Sequence, residues 1–399
     1  MNNHYVPCFI LKNFGGGKLS FYDTKKKELF KNRNVHSSFC TNNIYSDKIE
    51  IELNHKIEAH FSILLNNKIL ASTDTLTFNK SEINLIKKFL LISTLRTFED
   101  EKLLSLEKNY YQIEKQNWLN LGLTDKEWNE KHIMPPFKET SIDNETDEQY
   151  WLRTIQTILD SEKCTGEEIS KMKNATYSAY RWANTFNSGF LGFWDSEFTH
   201  EEFLITDAGM TSETDKGVAL VSPLILKQKY LIDLYNQYKN INPNLSKQIL
   251  HELNNTIIMH ENFMMFPISS QRIIVLINPF FKFLEQLEKY KVKVLPISSF
   301  TYLDREKLFK PNKVNYVEMQ IDPKTHNFDE NDKYIYKINR LSNKETKYIN
   351  ELFLDRITNF VGFSNLDKVK GSIIKYYEEP NSKRVDYGEL IKIIKEDVK

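Results

Sequence analysis

The chain has 399 residues, of which 40% are apolar and 13% aromatic, a composition typical of a globular protein with aromatic rings in its core. The chain has 54 lysine and arginine residues and 54 aspartate and glutamate residues, so its formal net charge is zero. No overall positive charge therefore attracts it to nucleic acid, although the sequence is compatible with a local basic groove. The cysteines Cys8, Cys40 and Cys164 lack zinc-site spacing, and no apolar stretch of the sequence reaches the roughly 18 residues of a membrane span.

The first part of the chain predicts a β-hairpin and then helices. In "KLSFYDTKKKELFKN" two apolar segments flank a polar turn, so we expect a hairpin packed on the core. The segment "FLLISTL" is apolar all round and predicts the centre of a core helix. A four-residue spacing predicts one apolar helix face that carries Ile49, Leu53, Ile57 and Phe61.

Helix start signals occur at several places along the chain. A threonine or serine with glutamate three residues on is typical of a capping box, and it occurs at 124–127, 165–168 and 342–345. The segment "EEISKMKNATYSAYRWANTFNSGF" predicts one amphipathic helix. We expect further helices at about 227–240 and 246–256, and a short one in "ELIKIIKEDVK" at the end of the chain.

From about residue 190 the pattern favours strands. The segment "FLGFWDSEFTHEEFLITDAG" alternates and is rich in aromatic residues, and other short apolar runs are bounded by glycine or proline. These runs are "GVALVSPLIL", "QRIIVLINP", "KVNYVEMQID" and "KYIYKINR". The predicted class is therefore α+β, with a largely helical first half and a mixed β-sheet and helix second half.

The opening segment "HYVPCFILKNF" resembles the signature of the bacterial family DUF4238. That signature begins with His-Tyr-Val-Pro and continues with spaced apolar residues, and the matching positions are His4, Tyr5, Val6, Pro7, Phe9, Leu11 and Phe14. The resemblance continues over roughly residues 4–363 through "HKIEAHFS" with Glu58, "STLRTFED" with Arg96, "FLITDAG" with Asp207, "FPISSQRIIVL", and "LSNKETKYINELFL" with Asn350.

The resemblance implies one domain over residues 1–365. The residue pattern divides it into a helical part at about 44–190 and a mixed part at about 190–365, and predicts a C-terminal helical tail over 366–399. The chain departs from the family at Thr206, where the family shows serine, and at "AGMT", where it shows a proline after the aspartate. No activity is established for the family. The resemblance therefore implies candidate site residues but does not imply a reaction.

His4 heads the candidate residues because imidazole titrates near neutral pH and suits acid–base or metal chemistry. The alternative is a buried histidine, with Tyr5 and Pro7 anchoring the N-terminus. Glu58 lies three residues from His55, so the two share a helix face and either bind a metal or form a solvated face with an ordinary ion pair. Arg96 follows an apolar turn and either binds phosphate or carboxylate, or pairs with a buried acid.

Asp207 ends a predicted strand beside a glycine, a position that suits both a site residue and a turn-forming aspartate. Two functions stay open. The first is a metal-assisted phosphodiesterase or nuclease of toxin or antiphage-defence type, with His4, Glu58 and Asp207 around Mg²⁺ or Mn²⁺, and Arg96 and Tyr5 on the substrate. The second is a non-catalytic ligand- or partner-binding sensor module with a buried polar network.

The expected partners are nucleic acid or a nucleotide, and a protein partner or a second copy of the chain. Binding to a membrane is not expected. The odd number of cysteines and the lack of a signal-peptide pattern in the opening residues predict a cytoplasmic protein with reduced thiols.

Overall fold

The structure is a computed structural model. It describes residues 2–4, 6–37, 39–42, 47–96, 105, 108–109, 112, 116, 144–196, 201–212, 233–254, 263–277, 334–356, 359–378 and 385–396. The fold is α+β, as predicted, with helices around a six-stranded sheet, a four-stranded sheet and a two-stranded sheet. No helix within these ranges is long and apolar enough to cross a membrane.

The N-terminal segment is tied into the fold by both its backbone and its side chains. Strand β1 (Asn2–His4) pairs antiparallel with β4 (Cys40–Asn42), which places His4 opposite Cys40. Helix α1 (Cys8–Gly15) follows the buried Pro7, whose carbonyl accepts the N–H of Ile10 at 2.9 Å. The apolar side of α1 is buried, with Ile10, Leu11 and Phe14 in the core.

The predicted hairpin is confirmed. Strands β2 (Lys18–Asp23) and β3 (Glu28–Asn34) pair antiparallel, with a register shift between Leu19 and Phe21. They form one side of the four-stranded sheet, in the order β3-β2-β12-β7, where β7 is Ile205–Thr206 and β12 is Phe360–Phe363. Phe21 packs edge-on against Phe360 of the adjacent strand β12.

The predicted helical stripe is confirmed, but the helix is not regular. Helices α2 (Asp47–Leu53) and α3 (Ala59–Leu64) are joined by a π-helical stretch, Asn54–Glu58, and a second one, Leu65–Ile69, follows. Four-residue steps on a 3.6-residue helix advance by about 40° beyond a full turn. The wider π turns offset this drift, so the stripe Ile49, Leu53, Ile57 and Phe61 stays buried.

The stretch "FLLISTL" lies at the centre of the core, as predicted. Strand β5 (Thr75–Phe78) leads into α4 (Lys80–Arg96), whose residues from Phe89 onward are all buried. The ring of Phe89 stacks on Phe61 at 3.8 Å, and Phe9 of α1 packs against both rings. Helix α1 is therefore held against the same pair of helices.

The helix predicted over "EEISKMKNATYSAYRWANTFNSGF" is wrong as a single element. After α5 (Asp147–Asp160) the chain forms α6 (Gly166–Ser170) and α7 (Tyr177–Ser188). Asn174 has a φ of 64° between them, and Thr176 caps α7 by accepting the N–H of Ala179. A left-handed residue and a new N-cap both end helical propagation, so the segment divides there.

The capping boxes have different outcomes. At 165–168 only half of the predicted box forms, because Thr165 caps α6 while the Glu168 carboxylate accepts the N–H groups of Glu162 and Lys163. The box of Ser342 and Glu345 is complete at the start of α9 (Asn343–Asp355). The box predicted at 124–127 lies outside the described residues.

The six-stranded sheet has the order β5-β11-β6-β10-β9-β8. Its remaining strands are β6 (Phe190–Ser196), β8 (Thr211–Ser212), β9 (Phe263–Pro267), β10 (Arg272–Ile277) and β11 (Tyr334–Leu341). β11 pairs with β6 in parallel, and the other pairs described are antiparallel. The strands predicted over 217–226 and 313–322 lie outside the described residues.

Both faces of this sheet are covered, which explains why β10 is apolar without alternation. Ile274 and Leu276 point into the large core that also contains α4 and α7. Their neighbours Ile273 and Val275 point into a second core formed with α9. Because successive side chains of a strand alternate between faces, every residue of β10 is buried.

The predicted helices after residue 227 are confirmed where the structure describes them, at 233–238 and as α8 (Pro243–Asn254). The tail forms α10 (Lys370–Glu378) and the predicted terminal helix, α11 (Gly388–Glu396). Both tail helices bury apolar side chains against the four-stranded sheet, including Ile373 and Ile394 next to Tyr22 and Val361. The division into a 1–365 domain and a tail stays a prediction.

Candidate functional site

The structure brings together two of the residues that the sequence singled out, Arg96 and Glu58. Arg96 ends α4, and its side chain is 1% exposed. Its Nη1 forms an ion pair with Oε1 of Glu58, and its Nη2 lies 3.6 Å from Oε2 of Glu50. One buried guanidinium therefore lies between two carboxylates, whose side chains are 18% and 14% exposed for Glu50 and Glu58.

The surroundings of Arg96 explain why a charge is tolerated there. The residues before it in α4 are buried, so its side chain leaves the core directly into the ion pairs. Next to it, the indole N–H of Trp151 donates to the carbonyl of Leu95 at 3.0 Å and satisfies one of the last carbonyls of α4. Burial of an arginine needs such paired carboxylates, because an isolated buried charge is strongly unfavourable.

His55 does not accompany Glu58. The π-helical stretch carries both residues, but His55 is exposed, whereas the Glu58 carboxylate turns inward to Arg96. Glu58 forms an ion pair, but with the buried Arg96 and turned inward, so it does not lie on the solvated face of the second alternative. Of the two alternatives for Arg96, the geometry matches pairing with a buried acid.

His4 lies on β1, at the register position opposite Cys40. Its side chain and the whole of Tyr5 lie outside the part of the chain that the structure describes. The neighbouring residues show how this segment is held, since Val6 is 3% exposed and the ring of Phe9 packs against Phe61 of α3. The backbone therefore anchors the opening motif, and the role of its imidazole stays a prediction.

Asp207 lies in a different part of the molecule, in the turn after β7. Its side chain is buried, and its Oδ2 accepts the backbone N–H of Asn359 at 2.9 Å. Its own N–H donates to the carbonyl of Phe360 in β12, and the N–H of Gly209 closes the turn on the carbonyl of Thr206. Asp207 thus joins β7 to the start of β12, which is the turn-forming alternative.

No group of three or more histidine, cysteine, aspartate or glutamate side chains suited to a metal ion occurs among the described residues. The predicted set of His4, Glu58 and Asp207 includes a side chain outside that part. Of its two described members, Glu58 contacts a guanidinium and Asp207 a backbone amide.

Sequence reasoning missed a buried ion pair in the six-stranded sheet. Arg272 of β10 lies directly opposite Asp195 of β6, and its Nε and Nη2 donate to the two carboxylate oxygens at 2.5 and 2.6 Å. The Nη1 of Arg272 also donates to the carbonyl of Ile69, at the end of the second π-helical stretch. Arg272 therefore links the six-stranded sheet to the π-helical stretch Leu65–Ile69. The only sequence signal was a charge next to an apolar strand.

A second polar network that the sequence did not reveal holds the tail to the domain. The Glu201 carboxylate accepts both the N–H and the hydroxyl of Ser372 in α10. Asn350 of α9 donates to the Ser372 hydroxyl and to the carbonyl of Glu202, and its Oδ1 accepts the N–H of Leu204. Burial raises the pKa of Glu201, and the Ser372 hydrogen bonds and Lys347, 3.9 Å away, oppose this shift.

Three tyrosines pack where the tail meets the four-stranded sheet. Tyr387 lies against both Tyr22 and Tyr376, and its hydroxyl donates to the carbonyl of Leu354 at 3.0 Å. Burial, with nearby acids that include Asp207, holds the pKa of Tyr387 well above its ordinary value. The Tyr387 phenol is therefore a neutral hydrogen-bond donor at physiological pH.

Cys164 is a buried free cysteine. Burial raises its pKa to about 11, so it is protonated at neutral pH and a poor nucleophile. The nearby Lys88 donates to the carbonyls of Leu159 and Ser161, at the end of α5. A cation at this end complements the helix dipole, which gives Lys88 a capping role.

A cavity of about 460 Å³ lies between the hairpin and the tail. Leu29, Phe363, Leu366 and Ile394 form its apolar part, and polar residues of both walls surround them. Its volume is within the range of small-molecule sites, roughly 300–1,000 Å³. None of the predicted site residues lines it.

The sequence of residues 2–367 matches the model of a protein family described as a protein of unknown function, DUF4238. No curated protein and no solved structure matches the chain.

Proposed function

The chain belongs to the DUF4238 family, and from this premise we propose that it is a non-catalytic ligand- or partner-binding sensor module. Its buried polar residues hold helices α3 and α4, the two larger sheets and the tail in one arrangement. The observation that carries the proposal is the pairing of the buried Arg96 with Glu58 and Glu50.

This pairing supports a structural role because a guanidinium and a divalent cation compete for the same carboxylate. A metal at Glu58 would therefore bind a carboxylate that already pairs with Arg96, whose side chain is 1% exposed. The Asp207 carboxylate is likewise engaged by a backbone amide of the sheet. A cavity of ligand size elsewhere supports binding as the function.

A second candidate is the metal-assisted phosphodiesterase or nuclease of toxin or antiphage-defence type. One observation favours it, which is that two partly exposed carboxylates, those of Glu50 and Glu58, lie close together beside Arg96. With the imidazole of His4, such carboxylates are the ligand types that bind Mg²⁺ or Mn²⁺. The metal would supply an activated water, and Arg96 would hold a phosphate.

A cleavage assay decides between the two. The purified full-length chain is incubated with RNA, single-stranded DNA and duplex DNA, with Mg²⁺ or Mn²⁺ and then with chelator. His4→Ala, Glu58→Gln and Asp207→Asn variants are assayed at temperatures well below their own melting transitions.

The binding-module proposal predicts no cleavage that depends on the metal and on these residues. Cleavage that requires the metal and is lost in His4→Ala and Glu58→Gln, while both variants stay folded, would overturn the proposal in favour of the second candidate.

A further inference from the structure

The cavity between the hairpin and the tail has two polar walls. Ser20, Lys31 and Asn32 of the hairpin form one wall, and Asn365, Asp367 and Lys370 form the other. The family match ends at residue 367, so the second wall is completed by a residue of this chain's tail. Lys370 and Ile394 of the tail thus complete a cavity that the hairpin and β12 begin.

The hairpin wall is a β-bulge. Leu19 pairs with Arg33 and Phe21 with Phe30, so Ser20 of β2 lies opposite two residues of β3, Lys31 and Asn32. Asn32 has a φ of 54°, and its N–H donates to the Ser20 hydroxyl oxygen at 3.2 Å. A bulge bends the strand and redirects side chains, and all three residues of this bulge line the cavity.

The polar groups of the cavity favour an anion. Among the described residues that line the cavity, Lys31 and Lys370 carry ammonium groups and Asp367 carries a carboxylate. Lys370 contacts Asp367 at 2.8 Å, but their side chains are 37% and 77% exposed, so a bound anion can replace this weak ion pair. The Oδ1 of Asn365 accepts the N–H of Asp367, which leaves the NH₂ group of this side chain to donate to a ligand.

The apolar part of the cavity favours a ligand that carries an apolar or weakly polar group in addition to its anionic group. Phe363 and Ile394 are buried at its base, and Leu29 and Leu366 are half-buried beside them. We propose that the cavity binds a small phosphorylated ligand with a planar, weakly polar group, in the class of nucleoside monophosphates. The phosphate lies between Lys31 and Lys370, and the base lies on the apolar part. This inference rests on the proposed binding function, because it names the ligand of the module.

Isothermal titration calorimetry with the full-length chain tests this site. The ligands are the four ribonucleoside 5′-monophosphates, the corresponding nucleosides, and inorganic phosphate. The variants are Lys31→Gln and Lys370→Gln, each of which removes one ammonium group. Lys25→Gln is the matched control, because Lys25 is an exposed lysine of the same hairpin that does not line the cavity.

We expect at least one monophosphate to bind more tightly than its nucleoside and than phosphate. Each cavity variant should weaken this binding by about tenfold, the effect of losing one charge-assisted hydrogen bond, and Lys25→Gln should leave it unchanged. No binding of any monophosphate, or binding that both cavity variants leave unchanged, overturns the inference.

Failure of this inference differs from failure of the proposed function. A chain that neither cleaves nucleic acid nor binds a monophosphate keeps the binding role and loses only this ligand class. Metal-dependent cleavage lost in Glu58→Gln refutes the binding role, whatever the calorimetry shows.

Discussion

The guanidinium of Arg96 and the carboxylate of Glu58 form an ion pair between the end of α4 and the π-helical stretch before α3. The π geometry matters to this pair, because it sets the direction in which Glu58 leaves the helix while Ile57 stays in the core. Helix irregularity and a buried charge thus occur together at one position.

Glu58→Gln should lower the free energy of unfolding by about 3 kcal/mol, because it removes the carboxylate that lies closer to the buried Arg96 than Glu50 does. Urea denaturation measures the change. Glu50→Gln should have a smaller effect, since Arg96 keeps its closer partner. Glu167→Gln, which removes an exposed pair with Lys171, should have no measurable effect. Equal effects at all three positions would contradict this account of the pair.

For Arg272 and Asp195, the loss of unfolding free energy in the double variant should be smaller than the sum of the losses in the two single variants. Asp195→Asn or Arg272→Met leaves one buried charge without its partner, so each should cost about 3–5 kcal/mol in unfolding free energy. The double variant Arg272→Met with Asp195→Asn should be much less destabilised than the sum of the two. Additive losses in this double-mutant cycle would show that the two residues do not act as a pair.

Glu201 should make stability depend on pH in a recognisable direction. Burial raises its pKa in the folded state, so the folded chain binds this proton more readily than the unfolded chain. Its contribution is fully present below the ordinary pKa of 4.5 and is lost as the pH rises through the higher folded value. Relative to Glu201→Gln, the wild type should therefore gain stability as the pH falls through this window.

Urea denaturation of both proteins at several pH values between 7 and 4.5 measures this difference. The comparison cancels the other carboxyl groups, which are the same in both chains. A stability difference that does not change with pH, or one that favours the wild type at higher pH, would contradict the raised pKa.

Cys164 should resist alkylation in the folded chain. Its thiol is buried, and its pKa of about 11 leaves very little thiolate at pH 8. Treatment with iodoacetamide followed by peptide mass spectrometry should find Cys164 unmodified in the native protein and fully modified in urea. Native modification of Cys164 at the rate seen in urea would show that the site opens.

Features determined by short-range signals could be predicted from the sequence. The hairpin of β2 and β3 and the complete capping box of Ser342 depend on residues next to each other in the chain. The helical stripe from Ile49 to Phe61 was also predictable. The π turns that keep it on one side were not, because a four-residue spacing of apolar residues also fits an ordinary α-helix.

Relationships between distant residues could not be predicted. The parallel pairing of β11 with β6, and the placement of Arg272 opposite Asp195, depend on which strands become neighbours. In the candidate site, Arg96, Glu58 and Asp207 were identified by residue type and by the family resemblance. Their partners are separated from them in the chain, so their pairing appears only in three dimensions.

The most direct test of the central claim is the effect of Mn²⁺ on thermal unfolding of the wild type and Glu58→Gln. A ligand that binds only the folded state raises the melting temperature. The paired Arg96–Glu58 arrangement predicts that Mn²⁺ shifts both proteins equally, with Glu58→Gln melting lower throughout. A Mn²⁺-dependent rise in the wild type that Glu58→Gln abolishes would show that Glu58 binds metal, and would contradict the structural role assigned to this pair.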